Sequence, residues 1–414
     1  MKDKWLLLSV SSLIIVSSWL VFSPGNNSIQ ISNESVSDMW HFIALGDSRQ
    51  QFGYWDDELQ HYSQDNKTNP IRRAIINSII EDNPNLEFIV HTGDMVCSGG
   101  EQDDWDRYFE DIENATKNNV TFYYAVGNHE RYTYALGPGF WGPPDENFTT
   151  YLTNVELPGN ERYYSFNYKD QIHFIIVNTE ENWDHGFDIT SDQETWIIND
   201  LENNSLDFIV AVFHRPCYSV RDSGRVWDAN QVRNVLEPIF LQYGVDLVFS
   251  GHDHYYYRTI RNGITYITTG GAGAELALNN DLSEWQEGDV FYSEYHYCNV
   301  TVTEAEGNLT MTIDTLIFNE TTKSTYLVDS CMVRPSTTIT TTTEPTTTTT
   351  EVLTTTTGIP TITTKEPPTT TIDIPTTTTT EIETSTSLNA IPNPLILLIL
   401  GLIVIIICKK GSKG

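Results

Sequence analysis

The sequence predicts an α/β fold for residues 38–334, and three features of the chain lead to this class. Short apolar runs rich in β-branched residues alternate with amphipathic segments of helical spacing. Segments that alternate in this way form parallel sheets covered by helices. Polar residues follow directly after several of the apolar runs, and the last part of the region has strand-like runs with no helix between them. The domain is therefore expected to end in an antiparallel, β-rich part.

Seven apolar runs are predicted to be strands, namely 41–46, 86–92, 120–126, 172–178, 207–213, 245–250 and 264–268. Four amphipathic helices are predicted between them, at 70–82, 103–117, 192–202 and 230–244. In such helices apolar residues recur every three or four positions, so that one face can pack on a sheet. The later segment 297–316 alternates apolar and polar residues and predicts antiparallel hairpins.

The N-terminal segment has the composition of a targeting sequence. Residues 1–25 combine Lys2 and Lys4 with an apolar run from Trp5 to Phe22, which is typical of a secretory signal. No small-x-small cleavage motif follows this run. Two interpretations therefore stay open, a cleaved signal peptide and an uncleaved signal anchor.

The C-terminal part predicts a stalk and a membrane anchor. Residues 335–387 are almost entirely Thr with Pro and Glu, a composition that cannot bury a core and resembles O-glycosylated stalks. The mostly apolar stretch 388–408 is long enough to span a bilayer and precedes a basic tail at 409–414. By the positive-inside rule this tail is cytoplasmic. The domain is therefore expected outside the cell, on a single-pass membrane protein.

Composition agrees with an outward-facing glycoprotein. The chain has 23 Lys and Arg against 56 Asp and Glu, a net charge of −33, which argues against a nucleic-acid duplex as partner because such a partner needs a basic face. Sequons for N-linked glycans occur at Asn26, Asn33, Asn66, Asn114, Asn119, Asn147, Asn203, Asn299, Asn308 and Asn319. An even number of cysteines precedes the stalk and would tend to pair outside the cell, namely Cys97, Cys217, Cys298 and Cys331.

The feature that points to function is a set of polar residues at the ends of five predicted strands. The runs FIALGD, FIVHTGD, FYYAVGNHE, FIVAVFH and VDLVFSGHDH end in carboxylate, amide and imidazole groups, namely Asp47, Asp94, Asn128, His129, Glu130, His214, His252 and His254. In open α/β sheets the C-terminal ends of the strands line the ligand crevice. A single ending of this kind would be an ordinary turn, whereas five such endings indicate a site.

These side chains form an oxygen and nitrogen ligand set for metal ions. Carboxylates and imidazoles without a cysteine cluster suit Zn, Mn or Fe. The set is larger than one catalytic ion needs and indicates two ions that share a bridging carboxylate. Two ions about 3.5–4 Å apart can hold a hydroxide and clamp the attacking and leaving oxygens of an in-line displacement. The substrate class that such a centre serves best is a phosphate ester.

The same motifs resemble those of a known superfamily. The pairs GD at 46–47 and 93–94, the segments GNHE at 127–130 and GHDH at 251–254, and His214 between them resemble, in order and spacing, the calcineurin-like metallophosphoesterases. That superfamily includes purple acid phosphatases and Ser/Thr phosphatases. The resemblance covers about residues 40–275. It implies a four-layer α/β/β/α sandwich of two mixed β-sheets flanked by helices, with a dinuclear metal centre.

The resemblance also implies roles for individual residues. Asp94 would be the ligand that bridges two ions. The other expected ligands are Asn128, His214 and His252 for one ion, and Asp47 and His254 for the other. His129 would lie near the leaving group as the general acid, a role that suits imidazole near neutral pH.

Two residues depart from the family pattern. The first motif of the family commonly reads Asp-x-His, whereas Arg49 holds the His position here. A guanidinium cannot bind a metal, so one expected ligand is missing. Two alternatives stay open: water, Gln50 or Gln51 replaces that ligand, or the site binds its ion weakly. Arg49 is predicted to contact the substrate phosphate instead. Cys97 holds the place of a Tyr that purple acid phosphatases have, which argues against their charge-transfer iron site. Cys97 and Cys217 both follow site residues closely, and a disulfide between them is predicted to brace the metal loops.

The sequence therefore predicts a cell-surface hydrolase of phosphate mono- or diesters, which acts through a hydroxide held at two metal ions. A rival hypothesis is a non-catalytic, glycosylated receptor or adhesin that has kept the fold, and the missing His at position 49 keeps it open. A third reading, a phosphodiesterase acting on nucleotides or phospholipid head groups, shares the chemistry of the first and differs in the loops.

Overall fold

The computed structural model describes residues 38–49, 54–56, 61–63, 69–133, 145, 147–181 and 189–336. Several predicted features lie outside the described residues: the signal segment 1–25, almost all of the stalk 335–387, the membrane segment 388–408, the basic tail 409–414 and the sequons at Asn26, Asn33 and Asn66. Within the described part of the chain, no helix combines the length and apolarity needed to cross a bilayer.

The described residues alternate between strands and helices, as the sequence predicts. The strands are β1 (Asp38–Leu45), β2 (Tyr54–Asp56), β3 (His61–Ser63), β4 (Phe88–His91), β5 (Thr121–Tyr124), β6 (Tyr164–Tyr168), β7 (Ile172–Ile176), β8 (Phe208–Val212), β9 (Leu247–Ser250), β10 (Tyr256–Arg261), β11 (Ile264–Thr269), β12 (Val290–Tyr292), β13 (His296–Ala305), β14 (Asn308–Asn319) and β15 (Ser324–Val333). The helices are α1 (Pro70–Asp82), α2 (Gln102–Asp111), α3 (Glu113–Lys117), α4 (Thr149–Asn154), α5 (Ser191–Asn203) and α6 (Ser223–Tyr243), with a 3₁₀ turn at Asn128–Arg131.

Two mixed sheets form the body of the domain. The first has the strand order β15-β14-β13-β1-β4-β5, and the second has the order β12-β10-β11-β9-β8-β7-β6. In the first sheet β1, β4 and β5 are parallel, and in the second β7, β8, β9 and β11 are parallel. The remaining strands pair antiparallel toward the edges. The parallel strands reach the β5 edge of the first sheet and form the centre of the second, and they bring several C-terminal strand ends to one side.

Strand β1 shows how the layers are built. Phe42 and Ala44 pack in the apolar cluster between the two sheets, whereas Ile43 and Leu45 pack in a second cluster that includes residues of α1 and α2. Successive side chains of a strand point to opposite faces, so β1 is buried on both. Strand β8 divides its residues in the same way between the inter-sheet cluster and a third cluster that includes residues of α5 and α6. The predicted four-layer sandwich is confirmed.

Two helices begin or end at residues other than the predicted ones. The predicted helix 103–117 is two helices, α2 and α3, which meet at Ile112. Helix α6 begins at Ser223 rather than at 230, because the side chain of Asp222 accepts hydrogen bonds from the backbone N–H groups of Gly224 and Arg225. The short β2–β3 hairpin is absent from the prediction.

Candidate metal centre

The strand-end residues of both sheets meet in one place. In the first sheet Asp47 follows β1, Asp94 follows β4 and Asn128 follows β5. From the second sheet come His214 after β8, and His252 and His254 after β9. All of these side chains are buried, none being more than 8% exposed. Ligand atoms of Asp47, Asp94 and His214 lie within 4.8 Å of one another. Residues far apart in the chain therefore form a single polar cluster.

Three of the residues in the cluster have left-handed backbone conformations. The φ angles are 54° at Asp47, 57° at Asp94 and 67° at His252. Such angles are uncommon for residues other than glycine and cost about 1–3 kcal/mol each, and they concentrate at functional sites. Asp47 N–H donates to the carbonyl of Gly93 at 3.0 Å, which ties the turn after β1 to the turn after β4. The strained turns thus bring the two aspartates together.

One part of the cluster gathers donor atoms around Nε2 of His214. That atom lies 3.3 Å from Asp94 Oδ1, 3.0 Å from Asn128 Oδ1 and 3.1 Å from His252 Nδ1. Donors bound tetrahedrally to one ion at about 2.1 Å are about 3.4 Å apart, so this spacing fits an ion. The Nδ1–H of His214 donates to the carbonyl of Thr92 at 2.9 Å, which leaves a lone pair on Nε2. We call Asp94, Asn128, His214 and His252 the His214 half-site.

A buried arginine, Arg215, supports this half-site from behind His252. Its guanidinium donates to both carboxylate oxygens of Glu180, at 2.8 and 3.0 Å, and to Asp228 at 3.3 Å. Its Nη1 also lies 3.3 Å from His252 Nε2. Because arginine only donates hydrogen bonds, the ring proton of His252 is on Nδ1 in this arrangement. Binding a cation through Nδ1 would require this proton to move to Nε2 and the Nη1 group of Arg215 to turn away from that atom.

The other part of the cluster lies around the second oxygen of Asp94. His254 Nε2 is 3.4 Å from Asp47 Oδ1, and the Nδ1–H of His254 donates to the carbonyl of Glu275 at 2.6 Å. Arg49 enters the same space, with its Nε 4.0 Å from Asp94 Oδ2, and only 5% of the residue is exposed. We call Asp47, Arg49 and His254, with the shared Asp94, the Arg49 half-site.

The two central carboxyl groups differ in their proton affinity. Burial raises the pKa of Asp47 well above its usual range, and the nearby charge of Asp94 raises it further, while Arg49 opposes the shift. Burial acts in the same direction on Asp94, but His214, His129 and Arg49 together hold the pKa of Asp94 below its usual range. Two buried carboxylates this close repel each other, and cations beside them relieve the repulsion. The site is therefore built to hold positive charge.

His129, the residue expected to act as general acid, lies at the edge of the cluster. Its Nδ1–H donates to the carbonyl of Cys97 at 2.6 Å, and its Nε2 is 3.8 Å from Asp94 Oδ2. Burial lowers its pKa to about 3, with Asp94 opposing and Arg49 assisting the shift. The ring is neutral at pH 7 in this environment. Donating a proton from Nε2 would require a bound anion that raises this pKa.

Glu130 positions the turns that carry the ligands. Its carboxylate accepts hydrogen bonds from the backbone N–H groups of Asp94 at 2.8 Å, Met95 at 2.9 Å and Gly127 at 2.7 Å. The turn after β4 is thus tied to the turn after β5. From the sequence, Glu130 is predicted only to be one of the strand-end residues. A glutamate three residues after a turn glycine has the spacing of a capping box, and this spacing is the signal that points to its role.

His91, which precedes the second GD motif, also links two turns. Its Nδ1 accepts from the backbone N–H of Gly93 at 3.2 Å, and its Nε2 is 2.9 Å from Ser48 Oγ. Because Nδ1 accepts, the ring proton is on Nε2 and is donated to Ser48. Burial, with the nearby charge of Arg72, lowers the pKa of His91 to about 3. This neutral histidine connects the turn after β4 to the turn after β1 by hydrogen bonds.

The predicted disulfide between Cys97 and Cys217 is wrong. Cys217 is a free thiol in the apolar cluster behind the second sheet, where burial raises its pKa. Cys97 follows Met95 and Val96, which pack in the cluster behind the first sheet. The two residues thus belong to turns supported by different helix layers. Cys298 and Cys331 are free thiols as well, and the expected pairing of cysteines is not found among these residues.

The fold and the motifs assign the chain to a family. The family profile described as Calcineurin-like phosphoesterase matches residues 41–256, more than half of the 414 residues. The chain belongs to the calcineurin-like phosphoesterase family, and the resemblance seen in the sequence is confirmed.

Individual relatives agree with this assignment. The chain is 33% identical over 199 residues to Purple acid phosphatase 13 of Arabidopsis thaliana, covering 43% of this chain and 33% of the relative. It is 24% identical over 257 residues to Probable inactive purple acid phosphatase 27 of the same plant, covering 54% and 40%. The chain thus spans less than half the length of these two relatives. The solved structure of purple acid phosphatase PPD1 from yellow lupin (Lupinus luteus) seeds shares the fold, with a TM-score of 0.55 at 21% identity over 72% of this chain and 54% of that chain.

Proposed function

We propose that this protein is a metal-dependent hydrolase of phosphate mono- or diesters. The observation that carries the proposal is the convergence of Asp94, Asn128 and His252 on Nε2 of His214, with separations of 3.0–3.3 Å. Buried nitrogen and oxygen donors at this spacing fit Zn, Mn or Fe. When bound, such an ion supplies Lewis acidity toward a phosphoryl oxygen and activates water as the nucleophile.

The surrounding residues supply the charge and orientation that a phosphoester needs. Arg49 brings a buried cation to Asp94, and His129 Nε2 faces the same carboxylate. Arg221 and Arg225 approach Asp253 Oδ1 to 3.9 and 3.7 Å, with about a quarter of each arginine side chain exposed. These arginines give positive potential beside His252 and His254 on a chain whose net charge is −33. A local potential of this sign attracts a phosphate group.

The prediction of a second metal ion depends on the Arg49 half-site. There, the expected ligands besides the shared Asp94 are Asp47 and His254, and the guanidinium of Arg49 lies next to them. Among the described residues, this half-site therefore offers fewer donors than the His214 half-site.

The function is tested with the full-length protein loaded with Mn, Zn or Fe and assayed on a chromogenic monoester and a chromogenic diester. Turnover that depends on added metal is expected, and Asp94→Asn is expected to abolish it. A matched control is Asp170→Asn, because Asp170 has a φ of 52°, close to the 57° of Asp94, and lies on an exposed turn away from the site. Metal binding without turnover on a broad panel of phosphoesters would contradict the proposal.

A non-catalytic receptor or adhesin is the second candidate. The observation that favours it is the cation of Arg49 at a position where a ligand is expected, and a relative is named as probably inactive. The assay above separates the two, because a receptor of this kind keeps the metal affinity of the His214 half-site and lacks metal-dependent turnover.

We also propose that the domain works outside the cell, attached through residues 388–408 and separated from the membrane by the Thr-rich stalk 335–387 with O-linked glycans. In support, four sequon asparagines of the described residues are exposed, namely Asn119, Asn147, Asn203 and Asn308, so a glycan on them would extend into solvent. Treating the full-length protein from its native membranes with an N-glycosidase is expected to lower its mass. Surface labelling of intact cells is expected to reach the domain, and labelling only after lysis would contradict this location.

A further inference from the structure

The two half-sites differ in the number of groups that can hold a metal ion. Around His214 Nε2, three other donors lie at 3.0–3.3 Å. In the Arg49 half-site, Asp47 and His254 make one close approach, 3.4 Å, and the shared Asp94 faces the guanidinium through its Oδ2. Among the residues that the structure describes, an ion there would have three donors, one of them shared, and the guanidinium of Arg49 beside it. The described residues thus provide four donors in the His214 half-site, and three donors with a guanidinium in the Arg49 half-site.

Arg49 is built into this position. Its backbone N–H donates to the carbonyl of Asp94 at 3.0 Å, and its own carbonyl accepts from the side chain of Asn69 at 2.9 Å. Asn69 caps α1 and donates also to the carbonyls of Ser48 and Gly273, at 3.2 and 3.0 Å. With 5% of the residue exposed, the guanidinium is inside the site and not on its rim. Its position is therefore set by the fold.

Charge balance argues for a single ion. The buried acids Asp47 and Asp94 face the cation of Arg49. One divalent ion in the His214 half-site brings this group to a net charge of about +1, which suits an anionic substrate. A second divalent ion would raise the charge to about +3 at a buried site and would lie against a guanidinium that cannot lose its proton.

We infer that the guanidinium of Arg49 takes the place of a second metal ion, so that the site uses one metal ion and one fixed organic cation. This inference rests on the proposed function and refines it. The guanidinium partly neutralises Asp47 and Asp94, and a guanidinium is a group that can donate hydrogen bonds to a phosphoryl oxygen. It does not bind a water molecule as a Lewis acid, so the nucleophile belongs to the His214 half-site.

The experiment measures metal stoichiometry and spin coupling in the full-length protein. After loading with Mn(II) and desalting, about one Mn per chain is expected, with the six-line electron paramagnetic resonance spectrum of an isolated ion. Two Mn per chain with an exchange-coupled spectrum would overturn the inference, and so would the absence of bound Mn. Arg49→His replaces the cation by a metal ligand, and it is expected to raise the stoichiometry toward two and to produce the coupled spectrum.

The matched control is Arg49→Ala, which removes the cation and adds no ligand. It is expected to keep one Mn and to weaken inhibition by inorganic phosphate at least tenfold. A variant with unchanged phosphate inhibition would contradict the role given to the guanidinium. The wild-type stoichiometry decides the question even if Arg49→His does not fold. One isolated Mn without phosphoester turnover would refute the proposed function alone, whereas two coupled Mn ions with turnover would refute only this inference.

Discussion

The His214 half-site and the Arg49 half-site are built on similar strand ends, yet they present opposite kinds of group. The first offers lone pairs from His214 and Asn128, and the arginine that reaches it, Arg215, contacts the outer nitrogen of His252. The second places the guanidinium of Arg49 4.0 Å from the carboxylate that both share. The C-terminal ends of the strands therefore set where a charged group lies. The side chain at position 49 then determines whether the positive charge beside Asp94 comes from a bound ion or from the protein itself.

The largest expected effect comes from removing the centre of the His214 half-site. His214→Ala takes away the atom on which the other donors converge, and the ion should be lost with it. Since a catalytic ion contributes several kcal/mol to the stabilisation of the transition state, turnover is expected to fall about 10³-fold. Metal analysis together with the phosphoester assay checks both effects. A variant that keeps its metal would show that the half-site is defined wrongly.

The next effect concerns the support beneath the Arg49 half-site. Buried Arg72 donates to the carbonyls of Ser48 and Met95, at 3.1 and 2.8 Å, and is held by Asp111 at 2.6 Å. Asp111→Ala leaves Arg72 as a buried charge without its carboxylate partner, which is expected to lower the free energy of unfolding by about 3–5 kcal/mol. Urea denaturation measures this change.

The control for that variant is Asp106→Ala, an exposed aspartate on the same helix. It is expected to change the free energy of unfolding by less than about 0.5 kcal/mol. If both variants lost the same stability, the turns of the Arg49 half-site would not depend on the buried ion pair.

Of the three variants His214→Ala, Asp111→Ala and His254→Ala, the last is expected to have the smallest effect. Its metal content, compared with that of His214→Ala, distinguishes the two half-sites directly. If Arg49 replaces the second ion, His254 orients Asp47 and does not hold the metal, so the metal content should be unchanged. Turnover is expected to fall about 10–100-fold, because Asp47 loses the imidazole 3.4 Å from its Oδ1 and the geometry of the site loosens. Loss of metal to the same degree as in His214→Ala would contradict the difference between the half-sites.

Much of the site follows from local sequence. Turn motifs such as GD and GNHE stand directly after apolar runs, and the fold brings the ends of those runs together. The hydrogen bond from the Gly127 N–H to Glu130 could also be predicted from the sequence, because the two residues have the spacing of a capping box. The expected disulfide shows the limit of this reasoning, because closeness to site residues in the chain does not show which helix layer supports Cys217.

The sequence by itself determined the alternation of strands and helices, the hairpins at the end of the domain and the polar residues that close the central strands. These depend on side-chain periodicity and turn chemistry over a few residues. Only the tertiary structure decided that Arg49 lies against Asp94, that Glu275 orients His254 through its carbonyl, and that Arg215 is bound by Glu180. Those contacts join residues far apart in the chain. Their energies depend on burial and on the distance between charges, and both exist only after several segments have packed together.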